Sequence, residues 1–269
     1  MDLINFLSYG FIQRALIAGC FIAILCSTLG VFLVLRRFSL IGDGLAHVTF
    51  GSIALGLALH LSPIYVSIPV VMLCSLLILK LTERARLYGD AAIGIVSSVG
   101  IAGGTILASI GGGFNVDLFS YLFGNILAVT TTEVIISIAL SAAVLVTISV
   151  FYHELFSVTF DEEFARTTGV NTERINTIFI LATALTIVLA TRVVGILLVS
   201  SLLILPAVTS LQIARGFKPA VIVSTVIGLI AVGAGIIISF TLNLPTGATI
   251  VMLNFIFFVV AFMYRRQRS

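Results

Sequence analysis

Asp43 and His47 stand four residues apart in the stretch FSLIGDGLAHVTFGSIALG, residues 38 to 56, where a long apolar run begins. On a helix, positions i and i+4 share a face with about 5 to 6 Å between their Cβ atoms. One carboxylate and one imidazole so placed can address the same divalent cation, and both are ordinary ligands for zinc or manganese. Gly42 and Gly44 flank the acid and let its backbone approach another helix. His60, at the far end of the same run, offers a further, weaker ligand. The competing reading makes Asp43 a helix cap that accepts backbone N–H bonds and His47 a satisfied interior histidine. Against it stands the cost of a charged side chain in hydrocarbon, about 2.5 to 3.5 kcal/mol, which tends to be met at a cavity or pathway. Two ligands are too few for a tight site but suit a permeation site that binds an ion and lets it go. In a two-fold dimer with the pathway on its axis, each ligand is doubled, because a symmetric interface repeats the same patch.

The elements that must position this pair are membrane helices. Of 269 residues, 60% are hydrophobic and 9% charged, and the mean hydropathy is +1.26. No polar block is long enough to enclose a second core, so residues 1–269 read as one all-α, polytopic membrane domain lodged in a lipid bilayer. Apolar runs of spanning length fall at about 11–35, 43–60, 62–82, 90–110, 133–151, 172–191, 195–214, 218–240 and 247–264, nine in all. A tenth piece, DLFSYLFGNILAV at 117–129, is too short to span easily and follows Gly111, Gly112 and Gly113, which suggests a re-entrant half-helix. The start, with Asp2 and no cleavage pattern, reads as mature sequence and not as a secretory signal.

Nine crossings put the termini on opposite sides, and lysine and arginine choose which. With the C-terminus inside, twelve basic residues gather at cytoplasmic ends, from Arg36 and Arg37 through Lys80, Arg174 and Lys218 to Arg268, while only Arg14 and Arg192 lie outside. The N-terminus is therefore expected to be extracytoplasmic. The net charge of +3 sits at helix ends, and nucleic acid is not expected as a partner. Cys20, Cys26 and Cys74 lie inside apolar runs at spacings that match no zinc site, and they read as small buried thiols. Pro206 lies within a span, where Ser200, Ser201, Thr209 and Ser210 can satisfy the carbonyls it frees.

The longest inside polar stretch is TFDEEFARTTGVNTERIN, residues 159–176. Within it DEEFARTTG reads as a short helix, with Asp161 near its start and Gly169 as its stop. It is either an ordinary connecting loop, about 157–171, or a docking element for a cytoplasmic partner.

Four stretches, LRRFSLIGDGLAHVTFGSIALG, DLFSYLFGNILAV, DEEFARTTGV and VGILLVSSLLILPAVTS, resemble in order the signature segments of bacterial ABC transporter permeases that import zinc or manganese. The resemblance covers nearly the whole chain. It implies an ABC importer permease fold in the bacterial cytoplasmic (inner) membrane: a homodimer joined to two cytoplasmic ATPase subunits and served by an extracytoplasmic metal-binding protein. It also implies that Asp43 and His47 are transient ligands on the metal pathway, and that Asp161, Glu162, Glu163, Phe164, Ala165 and Gly169 couple to the ATPase. No cofactor is then held permanently; the ion is cargo. GDGLAHVTFG looks like the zinc-type members, manganese-type members reading more like GDAISHAVLPG, so zinc is the expected cargo and manganese the alternative. The chain has no G-x-x-x-x-G-K-[ST] phosphate loop and is not expected to be an enzyme. A secondary metal transporter driven by an ion gradient would carry further midplane acids, and an intramembrane metalloprotease would need a set such as H-E-x-x-H; neither pattern is present.

Overall fold

A computed structural model describes residues 10–83, 88–110, 121–124, 130–196 and 198–267. The principal helices are α1 (Gly10–Leu35), α2 (Ile41–Ala58), α3 (Pro63–Glu83), α4 (Gly89–Ile110), α5 (Thr131–Val150), α6 (Tyr152–Phe160), α7 (Glu162–Thr167), α8 (Thr172–Val193), α9 (Val199–Ile213), α10 (Phe217–Leu242) and α11 (Thr246–Arg266). Among the described residues eight of these, all but α6, α7 and α9, are long and apolar enough to cross a membrane.

Helix α9 departs from expectation. Its 15 residues extend about 22 Å, short of a hydrocarbon core about 30 Å thick. The sequence reads as an unbroken span from 195, but residues 194–196 cross two other backbones first. Gly195 has φ +91°, and a Cβ there would meet the Gly124 nitrogen and lie 2.6 Å from the Leu122 carbonyl oxygen. Gly247, at the start of α11, presses on the Val194 carbonyl from the other side. The Ile196 N–H donates to the Tyr121 carbonyl at 3.1 Å, so this irregular backbone is satisfied by protein, as membrane depth demands. Gly195→Ala is expected to combine a left-handed conformation, costing an alanine about 1 to 2 kcal/mol, with a backbone clash. A markedly lowered melting temperature of the detergent-purified protein checks this. Most of the half-helix expected at 117–129 lies outside the described residues.

The helices divide into centre and ring. In α1, α2 and α8, 67% of the apolar window is buried within the chain, against 22% to 33% in α3, α4, α5, α10 and α11. The ring exposes Leu73, Val99, Ile106, Val146, Ile222 and Val260, a surface that suits lipid or another membrane chain. With lipid as apolar as leucine, helices associate through close packing and small residues. Between α2 and α4 the backbones touch: a Cβ on Gly51 would fall 2.6 Å from the Gly100 carbonyl oxygen, and one on Gly104 would strike the Phe50 ring at 2.6 Å.

Several buried hydroxyls are satisfied locally or across helices, whereas those of Ser27 and Ser141 find no partner among the described residues. Thr49 donates to the Leu45 carbonyl, Ser52 pairs with Ser67 of α3 at 2.8 Å, and Ser224 of α10 donates to the Ser27 carbonyl of α1 at 3.0 Å. In α9, Thr209 donates to Leu205 and Ser210 to Ala207, rather than to the Leu202 carbonyl that loses its helical donor at Pro206. All three cysteines are free thiols, Cys26 fully buried and the others half-buried.

Candidate functional site

Helix α2 begins at Ile41 after a turn from α1, and its N-cap is Leu40, with no side-chain cap. Asp43 therefore does not cap the helix. It lies in the first turn, where negative charge is favourable to the helix dipole. Its Oδ2 sits 3.4 Å from His47 Nε2, with the Asp43 side chain 52% and the His47 side chain 24% exposed. At that separation the contact is looser than a good hydrogen bond, so both groups keep donor capacity toward an ion.

Behind the pair the helix is fixed by close contacts. Gly42 meets Leu203 and Ser200 of α9, Gly44 meets Ile93 of α4, and the His47 carbonyl faces Gly100 of α4. On the face bearing the pair, Asp43 is exposed and His47 partly so. His60 is exposed just past the opposite end of α2 with φ +55°; the helix from His47 to Ala58 alone rises about 16 Å, and His60 does not join the pair. Among the described residues no group of three or more His, Cys, Asp or Glu side chains could hold a metal. Among the described residues the chain thus brings two donors to this place.

At the end of the bundle where α2 begins, α7 forms as the sequence foretells. Asp161 is its N-cap, accepting from the Phe164 N–H at 2.9 Å. Its C-terminus closes on Gly169 at φ +90°, with Gly169 N–H donating to Arg166 and Val170 N–H to Ala165, a Schellman motif. Ala165 is fully buried, while Glu162, Glu163 and Phe164 face outward, Phe164 62% exposed. Asp161→Ala removes the cap, worth about 1 kcal/mol. The expected result is faster amide exchange confined to α7, with the global melting temperature nearly unchanged.

Beside α7 lies a cluster that the sequence reading counts only as inside charge. Arg36, in the turn after α1, donates to buried Asn176 of α8, and Asn176 donates to Glu162 of α7 at 3.2 Å. Nothing in the local pattern of LRR or ERIN marks this pairing. Among the described residues at the other end, Glu133 forms a capping box with Thr130 at the start of α5, and Arg14 donates to Thr131 at 3.1 Å.

Residues 8–265 match the ABC 3 transport family. The chain belongs to that family. Among the relatives of this ABC 3 permease, the manganese transport system membrane protein MntC of Halalkalibacterium halodurans is 31% identical over 98% of this chain and 90% of its own length. The manganese import system permease protein ScaB of Streptococcus gordonii is 32% identical over 94% of this chain and 91% of its own. A probable metal transport system membrane protein of Treponema pallidum is 35% identical over 90% of each chain. Among solved structures, PsaBC from Streptococcus pneumoniae in complex with Fab contains a chain 32% identical to this ABC 3 permease, with a TM-score of 0.86 over 96% of this chain and 94% of the other. The all-helical fold is therefore that of an ABC transporter permease.

Proposed function

We propose that this chain is the membrane subunit of an ATP-driven importer for a divalent transition metal, and that the ion passes the level of Asp43 and His47. The observation that carries the reading is the part-exposed carboxylate–imidazole pair in the first two turns of α2, on a face other than those packed at Gly42 and Gly44. Family membership and the metal named for its relatives support it. Two copies of the chain around a common axis would bring two such pairs to one ion, which a single pair is too sparse to hold. The positive charges support an orientation: Arg36, Arg37, Arg166, Lys218 and Arg265 lie at the end bearing α7, a distribution that favours that end and the C-terminus in the cytoplasm and the N-terminus outside.

Helix α7 is then the surface on which a separate ATPase subunit docks. Asp161 and Gly169 define the helix, buried Ala165 anchors it, and Glu162, Glu163 and Phe164 present charge and one exposed ring. Closure of the ATPases on ATP would move α7 against the bundle and switch access to the pathway, and an extracytoplasmic binding protein would deliver the ion. Manganese is favoured by the names of relatives similar over almost the full chain, zinc by the GDGLAHVTFG stretch alone; a His/carboxylate pair accepts either.

The test is ATP-dependent uptake of radioactive manganese and zinc, each with the other as competitor. Vesicles would hold this chain, its ATPase and its binding protein. Saturable uptake of one metal suppressed by excess of the other assigns the cargo. Uptake of neither would overturn the proposal.

A further inference from the structure

Seven residues before Asp43, Arg36 sits half-buried where α1 ends. Its Nη2 donates to Asn176 Oδ1 and its guanidinium lies 4.8 Å over the ring of Phe179. Asn176 Nδ2 donates in turn to Glu162 Oε1 at 3.2 Å. This amide orientation is the one the chemistry permits, because a guanidinium has only donors and a carboxylate only acceptors. Glu83 of α3 lies at the same amide, and Arg166 stands 3.7 Å from Glu162. The group borders a cavity of about 430 Å³ between α1, α3, α6 and α8. Burial lowers the pKa of Arg36, and the Glu162 charge partly offsets that; the cation is held where it is by its partners.

The turn that carries Arg36 is poorly specified by its own sequence. Helix α1 closes with Arg37 N–H donating to Val34 and Phe38 N–H to Leu33, a Schellman motif. The left-handed residue of that motif is usually glycine; here it is Arg37 at φ +59°. A non-glycine there is strained. The following helix starts on Leu40 with no side-chain cap. With strain on one side and no cap on the other, the turn depends on tertiary contacts, and the Arg36 link to Asn176 is a charged one.

We propose that Arg36 and Asn176 are positioning residues that relay movement of α7 to the first turn of α2, and so set the orientation of Asp43 and His47. The proposal rests on α7 docking an ATPase and on the Asp43/His47 pair lining the metal path. Displacement of α7 pulls Glu162, Glu162 pulls the Asn176 amide, and Arg36 turns the short 36–40 connection to which α2 is attached. The fork of the guanidinium and its stacking on Phe179 make this link directional in a way a flexible ammonium is not.

Two readouts test the relay in the complete complex. In vesicles, Arg36→Ala and Asn176→Ala are expected to assemble with the ATPase and hydrolyse ATP, while manganese or zinc uptake per ATP falls about tenfold, toward the upper range for residues on a coupling route. Arg36→Lys falls between. In the second readout a thiol placed by Leu40→Cys, on the exposed turn, reports its labelling rate by a membrane-impermeant maleimide, with the signal of the unsubstituted chain subtracted. That rate is expected to change on ATP binding when Arg36 and Asn176 are present and to stay constant when either is alanine.

Native uptake per ATP in both alanine variants, or an ATP-dependent labelling change that survives them, overturns the relay. So does failure of both to assemble, since the cluster would then serve folding only. If the native complex takes up neither metal, the metal reading falls, while the labelling experiment still decides the relay.

Discussion

Metal uptake by the assembled transporter is expected to fall about 100-fold or more when His47 is replaced by alanine or Asp43 by asparagine, with the amount of complex unchanged. Disturbing even a residue that supports a metal ligand typically costs about 10- to 100-fold, and in a two-fold dimer each substitution removes two ligands at once. The fold has little reason to suffer. Asp43 is half exposed and caps nothing, and the pair is joined only by a 3.4 Å contact. Asp43→Asn keeps the shape and one acceptor oxygen while removing the charge that opposes the cation's loss of water. The measurement is initial uptake rate against metal concentration, alongside ATP hydrolysis and co-purification of the ATPase. Uptake that persists at the native rate would reduce both residues to structural ones. His60→Ala, beyond the far end of α2, is expected to transport normally.

The second large effect concerns the packing of α2. A Cβ on Gly100 would lie 2.8 Å from the Val48 Cα and 3.0 Å from the His47 carbonyl oxygen. These are backbone atoms, so neither can rotate away. Gly100→Val must therefore drive α2 and α4 apart at the level of His47. The expected outcome is a melting temperature lowered by several degrees, consistent with the roughly 1 to 3 kcal/mol typical of overpacking, together with impaired uptake because the pair is displaced. Gly103, one turn of α4 away, has nothing within 4 Å of its would-be Cβ. Gly103→Ala is expected to be neutral or slightly stabilising, since alanine is favoured in a helix by about 1 kcal/mol. Equal effects at the two positions would show that α2 and α4 do not meet as described. The comparison is informative because both residues are glycines on the same helix, separated only by which side faces α2.

Much of this protein is written in short-range pattern. Eight of the nine expected apolar runs are membrane-length helices, because run length and composition are local properties that a bilayer reads directly. The ends of α7 were legible for the same reason: an aspartate that can accept its third-next N–H and a glycine that can turn left-handed act within one turn of helix. The i, i+4 spacing of Asp43 and His47 likewise sufficed to place them together on one face. The α9 region was misjudged because hydropathy carries no information about backbone crossings. Val, Ile and Leu surround Gly195 in 194–199, yet Gly124 and Gly247 arrive from distant parts of the chain and press on the backbone at 194 and 195, where the helix is interrupted.

The sequence by itself determined that the chain is a multi-pass helical membrane protein, where its helices begin and end for the most part, and that Asp43 and His47 share one helix face. Tertiary structure alone decided that α1, α2 and α8 form the centre while the other spans face outward, that α9 is short, and that Arg36 meets Asn176 across 140 residues of sequence. The reason is physical. Propensity, capping and hydropathy act over a turn or two of helix, whereas the choice of which apolar face meets which is made by backbone approach and polar pairing between helices, and one apolar face looks much like another until its partner is in place.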